Sequence, residues 1–543
     1  MIMKRIISVS VLAAALAVPS FAQGIKQSVE VTNEYVSGFA DFKKSTPQMA
    51  VPDSVYRFDY SFDYSVFESP YRGAYEFSPY EIQLTPDPLP YDGRKLYLAA
   101  GAGYSLHPVL DVVYTPFGDG AATLSLFNKG RGYSGKNFYD LTDNAGLSGR
   151  LLTSWGRLSY RAGYEGIFAG AGEPLRGTGA GRSTWHSPYV GVALESRARG
   201  TTYFDYKIGV DYRFSTDGLY SIPASSTAVP SAGRIGEHDL RVSGFAGPVV
   251  KSRYSFLIDF GFNMLSLADS RTGYSDRVAS FARLTPHLKF VLGIVDIDAG
   301  VNLDYFASAD SSPFSLNPVV KAGLDISELS LKLFAGLDGG KQLLGEHSLK
   351  SFNHFYVRGA AVPDISWEKA NIYLGALGKI GPSLQYSLKG GYALRSSTPF
   401  DSAYGSLAFA DCSSAYASLG MNWVSERFDL DAAFDFESVF MDALSVPAYA
   451  PAMFRGHLDA TWNTLERVFV GLRTEGASSR EDVSGLGATL KGYVDLGLYG
   501  EYRFDRSWGV WLHAGNLIGM QIERHPGYVE KGPYFTLGVR LSM

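Results

Sequence analysis

From Leu490 to Phe504 the chain reads LKGYVDLGLYGEYRF and alternates without a slip. Leu490, Val494, Leu496, Leu498, Tyr502 and Phe504 fall on one face of an extended strand; Lys491, Tyr493, Asp495, Tyr499, Glu501 and Arg503 fall on the other. Strand side chains alternate with period two, so this spacing predicts one apolar wall and one polar wall. A tight Asp505-Arg506 turn leads into a second strand, Trp508 to Leu517, and a looser loop into a third, Tyr534 to Met543, which ends on the last residue. In that third strand Phe535, Leu537, Val539, Leu541 and Met543 are all apolar, while Tyr534, Thr536, Gly538, Arg540 and Ser542 take the opposite face. Soluble sandwiches also contain alternating strands. An amphipathic strand that stops at the final residue is a narrower feature.

That ending, with Gly538 a few places upstream, resembles the C-terminal insertion signal of bacterial outer-membrane barrels, with Met543 in place of the usual aromatic. Phe535, Leu537, Gly538, Val539, Leu541 and Met543 would carry the signal. The wider stretch resembles the end of TonB-dependent receptor barrels: Ala514-Gly515-Asn516-Leu517, then Pro526-Gly527 in a loop, then Leu537-Gly538-Val539. The resemblance implies an all-β fold, a large antiparallel transmembrane β-barrel bounded by outer-membrane lipids and inserted by the barrel assembly machinery. It implies only loosely the uptake of scarce nutrients such as chelated iron, cobalamin, glycans or peptides.

The start of the chain fits an exported protein. Residues 1–22 read as a signal peptide, with Lys4 and Arg5 ahead of an apolar Ile6–Val18 run and a small-x-small site at Ser20-Phe21-Ala22. No other run of about 18 apolar residues follows, so no helical span is expected. Cys412 is the single cysteine, so the chain forms no internal disulfide. The net charge is −5, and two units more negative without Lys4 and Arg5, which argues against nucleic-acid binding. The chain is rich in Tyr (35), Phe (34) and Gly (60), yet its mean hydropathy is near zero. A barrel produces that balance, because alternate residues face lipid and aromatics gather at the two interfaces.

Residues 23–93 differ from the rest. Pro47, Pro52, Pro70, Pro79, Pro86, Pro88 and Pro90 rule out a regular central strand or helix through the later half. The stretch is expected to be an extended periplasmic leader. Tyr60, Tyr64, Tyr71, Tyr75, Phe77 and Tyr80, beside Glu76, Glu81 and Asp87, are candidates for contacts with the barrel lumen or with a partner, such as a surface lipoprotein or a periplasmic protein. Receptors of the class named above carry a globular plug much longer than this leader. Glu30-Val31-Thr32 is only a faint TonB-contact box. The resemblance therefore covers the barrel and fails at the plug.

From residue 94 onward alternation and turn chemistry mark about 22 strands, the size of the plugged outer-membrane transporters. The clearest are Thr202–Phe214, Tyr254–Met264, Val295–Tyr305, Leu384–Arg395 and Phe428–Glu437. Short connections such as Gly156-Arg157, Glu426-Arg427 and Asp505-Arg506 alternate with longer ones. The longer ones are expected at Lys129–Asp143, Gly170–Ser183, Ser215–Gly236, Lys341–Asp364, Arg395–Ala410, Met441–Pro451 and Gln521–Gly532. This asymmetry predicts short periplasmic turns, long extracellular loops and both termini in the periplasm.

No motif signals chemistry. Gly130 to Lys136 approximates a phosphate loop, but Asn137 stands where magnesium needs Ser or Thr, so a flexible surface loop is expected. Asp296, Asp298 and Asp304, like Asp429, Asp431, Asp435 and Glu437, lie an even number of positions apart and predict a polar lumen face rather than a calcium loop. No G-x-S-x-G elbow occurs, and the nine histidines show no informative clustering with acids. His347 and His354 share one long loop expected to be solvated. No cofactor, metal or catalytic residue is expected. Two functions remain open: solute transport across the outer membrane, and a structural barrel that anchors an envelope complex.

Overall fold

The computed structural model describes residues 95–543 except 119–120, 172–181, 198–201, 221–231, 251–252, 271–275, 308–313, 360–361, 465–466, 486 and 488. The proposed leader and its aromatics lie outside the described residues. Twenty-two strands form one sheet, each antiparallel to its neighbours in sequence. The last of them, Tyr534–Ser542, skips the small hairpin Gln521–His525/Tyr528–Lys531 to pair with Trp508–Gly515. Its other edge pairs with the first strand, Leu96–Tyr104, in a register running from Tyr97↔Ser542 to Tyr104↔Phe535. The sheet is thereby closed. Closure leaves no unpaired edge, which is what allows strands to cross a bilayer.

Alternation sets the two surfaces. On the final strand Phe535, Leu537, Val539 and Met543 are exposed on the outside, whereas Thr536, Gly538, Arg540 and Ser542 are buried inside. Trp155, Trp423, Trp462 and Trp508 are all exposed, each within a few residues of a turn at the end where the chain enters at Leu96 and leaves at Met543. An indole ring with an apolar body and a polar N–H suits the headgroup level, so these four mark one interface. Inside, the predicted acidic face is polar as expected. Asp304 is fully buried and pairs with Arg283 at 2.7 Å; Asp298 meets His287 at 2.8 Å, and Asp296 meets Lys332 at 3.1 Å.

The seam depends on one close approach. Trp511 points inward, and its indole crosses the seam over Gly538 and Gly101. A Cβ at Gly538 would lie 2.3 Å from that ring, so no other residue fits without moving it.

Several expected loops are strand instead. Ala122–Ser134 and Phe138–Leu152 pair up to Ser134↔Tyr139, so Lys129–Asp143 is a tight hairpin and Gly130–Ser134 is not a flexible loop. Likewise Leu384–Asp401 and Leu407–Val424 take up most of Arg395–Ala410, and Thr202–Tyr220 runs well past Phe214. The physical reason is shared. A membrane strand needs only ~10 residues; beyond the apolar band both faces meet polar surroundings, so alternation fades while backbone pairing continues. The strands are thus of unequal length, from 8 residues at Trp508–Gly515 to 19 at Thr202–Tyr220 and Ala232–Val250.

Candidate functional site: a capped lumen

The largest departure from expectation is the connection between strands Leu331–Leu343 and Ile365–Ile380. It is not a solvated loop. Residues 344–359 fold inward at the end away from the Trp belt and cross the lumen to the opposite wall. This strap carries one short helix, Glu346–Phe352, opened by extended Gly345 and closed by Asn353. Leu344, Leu349, Phe355 and Tyr356 are buried, as are the polar Glu346, Lys350, Asn353 and Arg358.

Ionic groups bind the strap to the far wall. The Lys350 ammonium is completely buried, 2.7 Å from Asp217 on the strand Thr202–Tyr220. It also donates to Ser183 Oγ at 2.5 Å and to the Tyr356 carbonyl at 2.5 Å, using all three of its protons. Asp217 is held in turn by the Ser183 hydroxyl and the Thr184 amide. One turn earlier, the Glu346 amide donates to both oxygens of Glu237 at 3.0 and 2.9 Å, while Arg358 pairs with the Glu346 carboxylate at 2.6 Å.

The two strap histidines are separated by their surroundings. His347 stacks on buried Trp185, with ring centroids 5.6 Å apart, and stands 3.7 Å from Glu165. Burial, reinforced by Arg213, Arg241 and Arg161, holds its pKa well below the ordinary histidine value. His354 lies 2.9 Å from Asp140. Burial disfavours its charged form, but the charge and hydrogen bond of Asp140 outweigh burial and raise its pKa. Among the described residues no group of three or more His, Cys, Asp or Glu is placed to hold a metal ion.

Beyond the helix, Phe355 stacks on Tyr528 of the small hairpin (3.7 Å between centroids, 14° between planes) and meets Phe138 edge-on. Phe138, Ile167, Trp185, Phe355 and Tyr528 form a buried cluster under the rim. Each such side chain contributes about 1.5–3 kcal/mol when fully buried. Asp401, the last residue of its strand, ties the other rim segments to the strap. It accepts from Asn353 at 2.9 Å, pairs with Arg480 at 3.2 Å and lies 3.3 Å from His525 in the hairpin.

Beside the strap the lumen holds a cavity of about 750 Å³, reached by Ser351 and Phe352 on one side and by the wall on the other. A chain of ion pairs runs across that wall: Glu368 to Arg395 at 3.3 Å, Arg395 to Glu437 at 3.1 Å, and Glu437 to Arg455 at 3.8 Å. Tyr416 and Tyr493 add hydroxyl-bearing rings. The lining carries acidic and basic side chains in balance, set among apolar surface.

Of the residues expected to act from sequence, the structure puts Phe535, Leu537, Val539 and Met543 on the outer face, Leu541 half-buried there, and Gly538 inside against Trp511. Lys350, Asp217, Glu237 and Asp401 were not anticipated. One signal was present: Phe352, Phe355, Tyr356, Val357 and Val362 make the segment too apolar for a solvated loop.

No protein-family model and no curated protein matches this sequence. Solved structures do match. The copper transporter OprC superposes with a TM-score of 0.61 at 14% identity, over 83% of this chain and 80% of that one. The fold is that of TonB-dependent outer-membrane receptor barrels. The ferric enterobactin receptor PfeA of Pseudomonas aeruginosa (TM-score 0.60, 10% identity, 83% and 80% covered) has the same architecture. So does the siderophore receptor PiuA of Acinetobacter baumannii (0.57, 10%, 83% and 82%).

Proposed function

We propose that this chain is an outer-membrane barrel that passes a solute through its lumen without a separate plug domain of the receptor type. The observation that carries the reading is the charged cavity of about 750 Å³ inside a 22-stranded wall. A barrel filled by its own side chains has no such space, and one of this circumference encloses room for a solute. The receptor and transporter architecture of OprC, PfeA and PiuA supports the same reading. On it, the Trp belt lies at the periplasmic interface with both termini on that side, and the strap closes the outer mouth. The final strand, with its exposed Phe535, Leu537 and Val539, is then what the assembly machinery reads, and residues 23–93 dock in the lumen or on a surface lipoprotein or periplasmic partner.

A second reading has its own support. The strap crosses the lumen at the distal end, as suits a barrel that only anchors an envelope complex. Single-channel conductance of the purified protein in planar bilayers, with and without residues 23–93, separates the two. Conductance in either form supports passage. Silence in both forms and in a barrel lacking residues 345–359, together with loss of a co-purifying partner on truncation of 23–93, would establish the anchor.

A further inference from the structure

The strap is built unlike an ordinary connection, and its chemistry shows how it is held. The strap meets the far wall through apolar contacts, His347 on Trp185, Phe355 on Phe138 and Val357 on Ile235, and through polar ones: the ammonium of Lys350 on Asp217 and Ser183, the Glu346 amide on Glu237, and His354 on Asp140. The wall supplies the acids and the strap supplies the donors and cations. Within the membrane band the same wall pairs its charges internally, as Arg213 does with Glu165 and Arg161 with Asp211. Asp217 instead has its cationic partner, Lys350, on the strap, and Glu237 accepts there from the Glu346 amide.

We infer that residues 344–359 are a reversible lid over the lumen, latched shut by Lys350 in the Asp217–Ser183 socket, and that release of this latch opens the passage. The inference rests on the transport reading given above and adds its regulation. Three features make the socket a latch rather than a general packing contact. Lys350 reaches it from a helix of only seven residues, too short to be stable by itself, so docking and helix formation are coupled. The ammonium has all its protons satisfied only when seated, two of its three acceptors being on the wall. Once the lid leaves, the ammonium and the carboxylate both regain water, so the open state carries no buried unpaired charge. Removing one partner in the closed state does leave the other buried and uncompensated, the costly case. The latch therefore breaks sharply when either half is lost.

The test uses the full chain in planar bilayers, in four forms: wild type, Lys350→Met, Asp217→Asn, and a barrel with residues 345–359 replaced by a short Gly-Ser linker. The expected result is a wild type that is mostly closed and an excised barrel that conducts persistently. Each latch variant should raise open probability roughly tenfold or more, and the double variant should be no more open than either single, because the second change removes the charge that the first leaves buried. Hydrogen exchange of residues 346–358 provides a readout independent of passage. Amide protection there should fall in both latch variants while the wall strands stay protected. If the excised barrel conducts but the latch variants match wild type in conductance and exchange, the latch is wrong and the passage reading stands. A wild type that conducts like the excised barrel overturns the lid alone. If the excised barrel is silent, the passage reading fails and takes the lid with it.

Discussion

Asn353 donates a 2.9 Å hydrogen bond to Asp401, and both side chains are buried. The bond joins residues 48 apart in sequence and fastens the strap to the rim on the side opposite Lys350. Asp401 also takes Arg480 and lies beside His525, so one carboxylate serves three separate segments. Replacing it with Ala leaves Arg480 without its buried counter-charge, a loss on the order of 3–5 kcal/mol for an internal pair. Asp401→Ala should loosen the cap and leave the barrel intact. Limited proteolysis of folded protein checks this: new cuts within 344–359 or 521–531, with unchanged heat-modifiable migration.

The strap histidines make its docking depend on pH in both directions. The His354 pKa is raised, so its contribution is complete below the ordinary histidine value and is lost as pH climbs through the raised one. The His347 pKa is depressed, so its contribution is complete above the ordinary value and is lost as pH falls through the low one. Strap protection in hydrogen exchange, corrected for intrinsic rates, should be greatest between those two pKa values. His354→Asn should abolish the alkaline loss and leave the acid loss.

At the seam, Gly538→Val would drive a side chain into the Trp511 ring, where a Cβ has only 2.3 Å. Overpacking of this kind costs about 1–3 kcal/mol. Here it falls on the pairing that closes the barrel, so the folded fraction in a refolding assay should drop. Trp511→Ala in the same chain should restore part of the yield.

Leu537 is 59% exposed on the outer face of the last strand. A charge on the lipid side near midplane costs roughly 2–4 kcal/mol. Leu537→Arg should therefore lower the amount of assembled barrel, whereas Thr536→Ser, on the lumen side, should leave it unchanged. Quantifying heat-modifiable protein in outer-membrane fractions distinguishes the two.

Much of the barrel was legible from residues alone, because lipid and lumen impose opposite demands on alternate side chains. Val295–Ala307 shows this: Val301 and Tyr305 are exposed outside, while Asn302 and Asp304 are buried inside, as their spacing requires. The number of strands, about 22, follows from counting such segments. Strand ends were not legible, since Gly130–Ser134 and Thr398–Asp401 pair where neither face meets lipid and the period carries no information.

The partners of the cap lay beyond the sequence, although its apolar residues were visible there. Glu346, Lys350 and His354 read as the surface of a solvated loop, and charges on a loop are ordinarily just that. Their partners Glu237, Asp217 and Asp140 stand more than a hundred residues away, on strands across the lumen. Local alternation decides which face of a strand meets lipid. Only closing the sheet decides which two walls oppose each other, and so whether a loop cation reaches bulk water or a buried carboxylate.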